Sequence, residues 1–278
     1  MRFASFTSPE LTGFGIVEDG FIRPVDDDRY PDLKSVIAAG DYDGAAAAAR
    51  EPVVITGMTM TPVLPNPGKI VCIGMNYVAH IKEMGRDRPK YPTLFTRFPD
   101  SLVGHGQSIV RPAASKKYDF EGELAIVIGR EARHVAADRA LDYIAGYTCF
   151  LDGSLRDYQR HTSQFIAGKN FRHSGAFGPW LVTTDEIPDP YSLSLETRVN
   201  GQVMQQGRID DLCFDIGALI GYLSTICRLD PGDVIATGTP SGVGAARDPQ
   251  VWLQPGDVVE VDIDRIGVLR NEVVDEEV

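Results

Sequence analysis

Residues 119–129 read Asp-Phe-Glu-Gly-Glu-Leu-Ala-Ile-Val-Ile-Gly. Leu124 to Ile128 is an unbroken apolar run that stops at a glycine, a length and composition that suit a buried strand. Just ahead of it stand Glu121 and Glu123. Side chains alternate along an extended chain, so both carboxylates point to one face, and Gly122 leaves the opposite face open or closely packed. Two carboxylates side by side repel unless a proton or a cation sits between them. A hard divalent cation takes oxygen ligands of this kind. A solvated edge of an acidic protein shows the same spacing, so the pair alone leaves both readings open.

The segments around this strand restrict the fold further. Lys69–Gly74, Ile144–Leu151, Val234–Ala236 and Val258–Ile263 also read as strands, the last two after the turns Pro231-Gly232-Asp233 and Pro255-Gly256-Asp257. Helical patterns fall at Pro31–Arg50, Val135–Leu141 and Asp215–Cys227. Strands outnumber helices and do not alternate with them regularly, which predicts an α+β fold with a mixed or antiparallel sheet and not a doubly wound one. Phe14–Val25 predicts a hairpin about Asp19-Gly20. The Pro-rich stretch Met60–Lys69 marks a boundary. We therefore expect a small N-terminal domain over 1–64 and a catalytic domain over 65–278.

With 27 Lys and Arg against 39 Asp and Glu, the 278-residue chain carries a formal charge of −12. Phosphate neutralisation needs clustered Lys and Arg, so nucleic acid is a poor partner, and an anionic membrane surface is no better. A small anionic ligand stays open to it, because a local cation or a bound metal overrides a distant field. Cys72, Cys149, Cys213 and Cys227 show no C-x-x-C spacing and read as reduced, buried thiols. No signal peptide or membrane span is evident, so the expected location is cytoplasmic.

Several residues add to the carboxylate pair. Asp152 ends the apolar run Ile144–Leu151, and Asp152, Arg156 and Gln159 stand at i, i+4 and i+7, one face of the helix expected there. An acid, a guanidinium and an amide converging in this way could hold a metal and a carboxylate together; an N-capping Asp with a simple salt bridge is the alternative. Lys169 lies inside the apolar stretch around Gly168, where an ammonium needs a carboxylate partner. His80 and Glu83 stand at i, i+3, so one helical turn brings a carboxylate to an imidazole, as a general base requires; a surface helix shows the same spacing. The loop Thr237–Gly244 could present backbone N–H groups and the Thr239 hydroxyl to an anion, but it fits no nucleotide-binding pattern. His105 and His134 have no metal-like spacing, and no serine sits in a nucleophile elbow.

In order and combination, Gly74–Gly85, Asp119–Gly129, Gly146–Gln159, Gly168–Phe171, Gly178-Pro179, Asn200-Gly201 and Pro231–Gly244 resemble the fumarylacetoacetate hydrolase family. The resemblance spans about Pro67 to Asn271. It implies a β-rich roll of mixed sheets with a small N-terminal domain, a homodimer, and Mg²⁺ or Mn²⁺ on Glu121, Glu123 and Asp152. It puts substrate contacts on Arg156, Gln159, Lys169 and Thr239, and a catalytic dyad on His80 and Glu83, carried by a lid. Three positions depart from the family pattern: Met75, where many members have arginine, Ser163, near a tyrosine of the larger hydrolases, and His173, in place of a threonine.

The expected activity is metal-dependent hydrolysis of a C–C bond in a 2,4-dioxo acid such as fumarylpyruvate, maleylpyruvate or a diketo-deoxy sugar acid. His80, oriented by Glu83, would activate water; Arg156, Gln159 and Thr239 would bind the carboxylate end; and Lys169 would stabilise the enolate. Decarboxylation of oxaloacetate, or an isomerase or hydratase step on an unsaturated oxo acid, would use the same enolate and is the alternative.

Overall fold

The computed structural model describes residues 1–277. Strand Gly122–Ile128 lies at the centre of a large mixed sheet. It pairs antiparallel with Ile144–Leu151 on one side and with Val234–Ala236 on the other. Val234–Ala236 then runs parallel to Ile70–Gly74, whose outer neighbour is Thr93–Thr96. In the other direction the order continues through Gly175–Thr183 to Arg2–Thr7, Thr12–Glu18, Phe21–Pro24 and Val53–Val54.

The unbroken apolar run has a direct cause. Leu124, Ile126 and Ile128 enter one core cluster, and Ala125 and Val127 enter another on the opposite face. Covered on both faces, the strand has no solvent side that would call for alternation. The first cluster lies against a second sheet, ordered Gln202–Arg208, Ser194–Val199, Val258–Ile263, Gly267–Asp275 and Ile109–Arg111. The other cluster is capped by helix Leu33–Ala39, whose Leu33, Val36 and Ile37 are buried. The two sheets approach closely at Gly122: a Cβ there would lie 2.1 Å from Thr197 Oγ1 and 3.2 Å from Val261. This is the close packing that the glycine between two glutamates permits.

The hairpin expected at Phe14–Val25 is present, with Asp19 and Gly20 at positive φ in its turn. Helix Ile216–Ile226 starts at Asp215, which accepts a hydrogen bond from Ala218 N at 2.7 Å, and it buries Ile216, Leu219, Ile220 and Leu223 along one face. The turn Pro231–Asp233 locks the parallel pair of strands, because the buried Asp233 carboxylate accepts from Lys69 N and Asp230 N, both at 2.7 Å.

Three local expectations need correction. The helical stretch Pro31–Arg50 is two helices, Leu33–Ala39 and Tyr42–Ala47, divided by Gly40 at φ +64° and restarted by the cap Asp41. Val135–Leu141 is a 3₁₀ segment over Ala137–Tyr143. Asp152 is not on the helix of Arg156 and Gln159: Ser154–Leu155 first pairs with Tyr118–Asp119, and the helix spans only Arg156–Gln159. The N-terminal segment adds its strands to the central sheet through Phe3↔Leu181, and Phe3, Phe14 and Leu33 share a core cluster with Ile70, Cys72 and Phe150.

Candidate active site

A cavity of about 710 Å³ opens above the entry of strand Gly122–Ile128. Its lining includes His80, Glu121, Glu123, Arg156, Gln159, Lys169 and Thr239. Glu121 and Glu123 share a face, as their spacing requires, and Asp152 joins them because its N–H donates to Glu121 O at 2.8 Å. Oxygens of the three carboxylates come within 4.8 Å of one another, and all three residues are buried.

Buried carboxylates need compensation. Lys169 Nζ, at the end of the short helix Ile166–Lys169, lies 2.5 Å from Glu121 Oε2 and 2.6 Å from Asp152 Oδ2, and over the Phe95 ring at 4.9 Å. Arg97 Nη1 is 2.7 Å from Asp152 Oδ1, and its Nη2 donates to Ser174 Oγ at 2.8 Å. Arg156 Nε donates to Asp119 Oδ2 at 2.7 Å, and Nη1 donates to Gln159 Oε1 at 2.9 Å. Arg156 Nη2 lies 2.7 Å from Glu121 Oε1, an ion-pair distance whose angle is not that of a hydrogen bond. Asp119 also accepts from Gly244 N and Ala245 N, which fastens the glycine-rich loop to the site floor.

The charges do not cancel. Asp119, Glu121, Glu123 and Asp152 face Arg97, Arg156 and Lys169, four acids against three bases. Among the described residues Glu123 is the acid without an ion-pair partner, and its one hydrogen bond there is from Gly238 N to Oε2, at 2.8 Å. Burial, with Asp152 and then Glu121 nearby, holds the Glu123 carboxyl well above the ordinary carboxylate range. Burial also works against ionised Glu121, but Arg156 and then Lys169 outweigh it and hold that carboxyl below the ordinary range. For Lys169 burial opposes the charge, and Asp152 and Glu121 reverse the effect and raise its pKa. An all-oxygen donor set of three carboxylates with one uncompensated charge fits a hard divalent cation such as Mg²⁺ or Mn²⁺.

His80 and Glu83 lie on helix Val78–Glu83. His80 Nδ1 is 3.0 Å from Glu83 Oε2, and Gly242 N donates to Glu83 Oε1 at 2.8 Å. The pair is thus anchored to the glycine-rich loop. The helix is bracketed by Met75 at φ +55° and Gly85 at φ +63°. At its start Asn76 is wholly buried, donating to Phe214 O and Thr237 O and accepting from Phe214 N. Thr239 Oγ1 donates to Gly122 O at 2.8 Å and accepts from Gln205 Nε2 at 2.8 Å. Met75 and Ser163 line the cavity; His173 does not, and its N–H donates to Asp100 O.

Sequence reasoning missed Arg97, Asp119 and Gln205. Asp119 heads the 119–129 segment, but the backbone N–H groups that fix its role, those of Gly244 and Ala245, lie 125 and 126 positions downstream. Arg97 and Gln205 meet the site across 55 and 83 positions, and no local pattern marks them.

Human mitochondrial oxaloacetate tautomerase FAHD2A is 42% identical over 232 residues, covering 82% of this chain and 74% of that protein. A putative HpcE protein of Mycobacterium smegmatis superposes with a TM-score of 0.91 at 34% identity, covering 100% of both chains. Maleylpyruvate hydrolase of Sphingobium sp. SYK-6, in complex with manganese(II) and pyruvate, superposes at 0.81 with 28% identity, again over 100% of both chains. Residues 69–274 match the family described as fumarylacetoacetate (FAA) hydrolase C-terminal, and with that match spanning most of its length the chain belongs to this family of enzymes.

Proposed function

We propose that this enzyme interconverts the keto and enol forms of a short 2-oxo dicarboxylic acid of the oxaloacetate type, with a divalent cation on Glu121, Glu123 and Asp152. The observation that carries the reading is an imidazole set for proton transfer, His80 Nδ1 at 3.0 Å from Glu83 Oε2, above a floor that lacks one positive charge. The tautomerase name borne by a 42% identical relative supports it. The cation, when bound, supplies positive charge that draws electron density from the oxygens of the oxo acid. Glu83 fixes the imidazole so that the other ring nitrogen serves the substrate. His80 takes a proton from carbon 3, and the electron pair moves toward oxygen 2. Lys169 adds positive charge beside that oxygen. Return of a proton to oxygen 2 gives the enol, and the reverse sequence gives the keto acid.

Hydrolysis of an acylpyruvate is the second reading, and here His80 activates water instead. A cavity of about 710 Å³ favours it, since a four-carbon acid does not fill that volume. Maleylpyruvate hydrolase among the structural neighbours favours it also. The test is an assay of the Mn²⁺-loaded enzyme for enol-oxaloacetate decay, with pyruvate and CO₂ scored on oxaloacetate and on several acylpyruvates. Acceleration of enol decay without CO₂, lost in His80→Gln, supports tautomerisation; pyruvate released only from acylpyruvates supports hydrolysis. Absence of both overturns the assignment. A homodimer and a cytoplasmic location belong to the same proposal.

A further inference from the structure

Every cation on the cavity floor already has an anionic partner. Arg97 holds Asp152, Arg156 holds Asp119 and Glu121, and Lys169 holds Glu121 and Asp152. None is free to take a second carboxylate from a ligand whose 2-oxo acid end occupies the floor. Above the floor the walls turn apolar, with Ile73, Met84, Phe95 and Phe165. At the mouth the character changes again. Arg86 and Arg160 line it, both exposed, and among the described residues neither forms an ion pair. Asp87 is the one acidic neighbour in that part of the lining, so the mouth carries net positive charge in a chain whose total is −12. Arg88, by contrast, is tied to Cys213 O at 2.9 Å.

The two arginines come from different elements. Arg160 caps helix Arg156–Gln159, its N–H donating to Asp157 O at 3.1 Å, one residue past Gln159. Arg86 follows helix Val78–Glu83, its N–H donating to Ile81 O at 3.0 Å, and it shares that segment with His80.

We propose that Arg160 and Arg86 form a second anion subsite that takes the distal carboxylate of a 2-oxo dioic acid. The subsite rests on the oxo-acid reading of the floor and adds a preference for substrates whose tail ends in a carboxylate. A carboxylate held between the two arginines joins the element bearing His80 to the element bearing Arg156. Tail recognition therefore also steadies the imidazole over the reacting carbon.

The test compares acetylpyruvate, with a neutral tail, against fumarylpyruvate, with a carboxylate tail, on the full Mn²⁺-loaded chain. Arg160→Gln and Arg86→Gln are each expected to raise KM for fumarylpyruvate about tenfold and to leave acetylpyruvate within about twofold. The wild-type KM for fumarylpyruvate is expected to rise between about 50 and about 300 mM salt, because an exposed ion pair is screened. Equal changes for the two substrates, or none for either, overturn the subsite. If neither substrate turns over, the hydrolytic reading of the floor fails and the subsite is read by calorimetry on the same variants. Oxalate is then compared with 2-oxoadipate: a wild-type preference for the longer diacid that both variants lose supports the subsite, and unchanged preference overturns it.

Discussion

Lys169 shows at the residue scale how much of this site is charge compensation. Its ammonium lies within 2.6 Å of two buried carboxylates, and Lys169→Met leaves both short of a partner. Removing one member of a buried ionic network costs about 3–5 kcal/mol. A divalent ion restores part of that charge, so the loss of Tm in Lys169→Met is expected to be larger in chelator than in excess Mn²⁺, as scanning calorimetry will measure. In excess Mn²⁺ activity is expected to fall at least about 100-fold, because the ammonium that adds to the metal's charge beside the enolate oxygen is gone. Glu123 carries a second prediction. Its carboxyl, raised by burial and by Asp152 and Glu121, keeps its proton above the ordinary carboxylate range in the metal-free protein. Ligation needs the carboxylate, so metal uptake expels a proton. Metal affinity is expected to climb as pH rises from the ordinary carboxylate range toward the raised pKa, and to level off above it. The metal-free fold has the opposite slope, since a proton bound more tightly in the folded state gives stability that is lost as pH rises through that pKa. Titration calorimetry in two buffers of different protonation heat checks the proton release.

At the scale of elements, the strand entry and the helix bearing His80 do most to place the chemistry. Gly122→Ala would drive a methyl against Thr197 Oγ1 and Val261 while displacing the glutamates on either side. About 1–3 kcal/mol of stability should be lost to overpacking, with metal affinity weakened more than urea unfolding alone implies. Glu83→Ala releases both His80 Nδ1 and the Gly242 N–H, so kcat is expected to drop about 10- to 100-fold with little change in metal affinity. These two elements were also the most legible in the sequence, because the strand period and the helical i, i+3 spacing are local properties. The position of Asp152 was legible only in part. Its strand was evident, but the helical spacing to Arg156 was interrupted by Ser154 and Leu155, which pair with Tyr118 and Asp119. That pairing depends on a segment more than thirty residues upstream. Arg97 and Gln205 were hidden for the same reason: one follows strand Thr93–Thr96 and the other lies within strand Gln202–Arg208, and neither has a local mark until the fold brings the floor to it. The resemblance to a known family supplied the order of the segments, and the distances are what the structure adds.

For the whole molecule, the central sheet runs without a break from the N-terminal hairpin to the catalytic strand, and one core cluster contains residues from both. A chain beginning at residue 65 would leave Ile70, Cys72, Phe150 and Leu181 without Phe3, Phe14 and Leu33. It is expected to be insoluble or to melt without a cooperative transition, which circular dichroism would register. The proposed homodimer is checked by sedimentation equilibrium of the intact chain, where a monomer mass at micromolar concentration rules it out. Finally, the four acids and three bases of the floor make two ligands interdependent. A divalent ion that displaces the Glu123 proton leaves the floor net positive, and an anion then neutralises it. By linkage, whatever factor the ion adds to the affinity for an oxo acid, the oxo acid adds to the affinity for the ion. Oxalate should therefore slow stripping of the metal by a competing chelator, while the chelator should shed oxalate from a protein it has not yet unfolded.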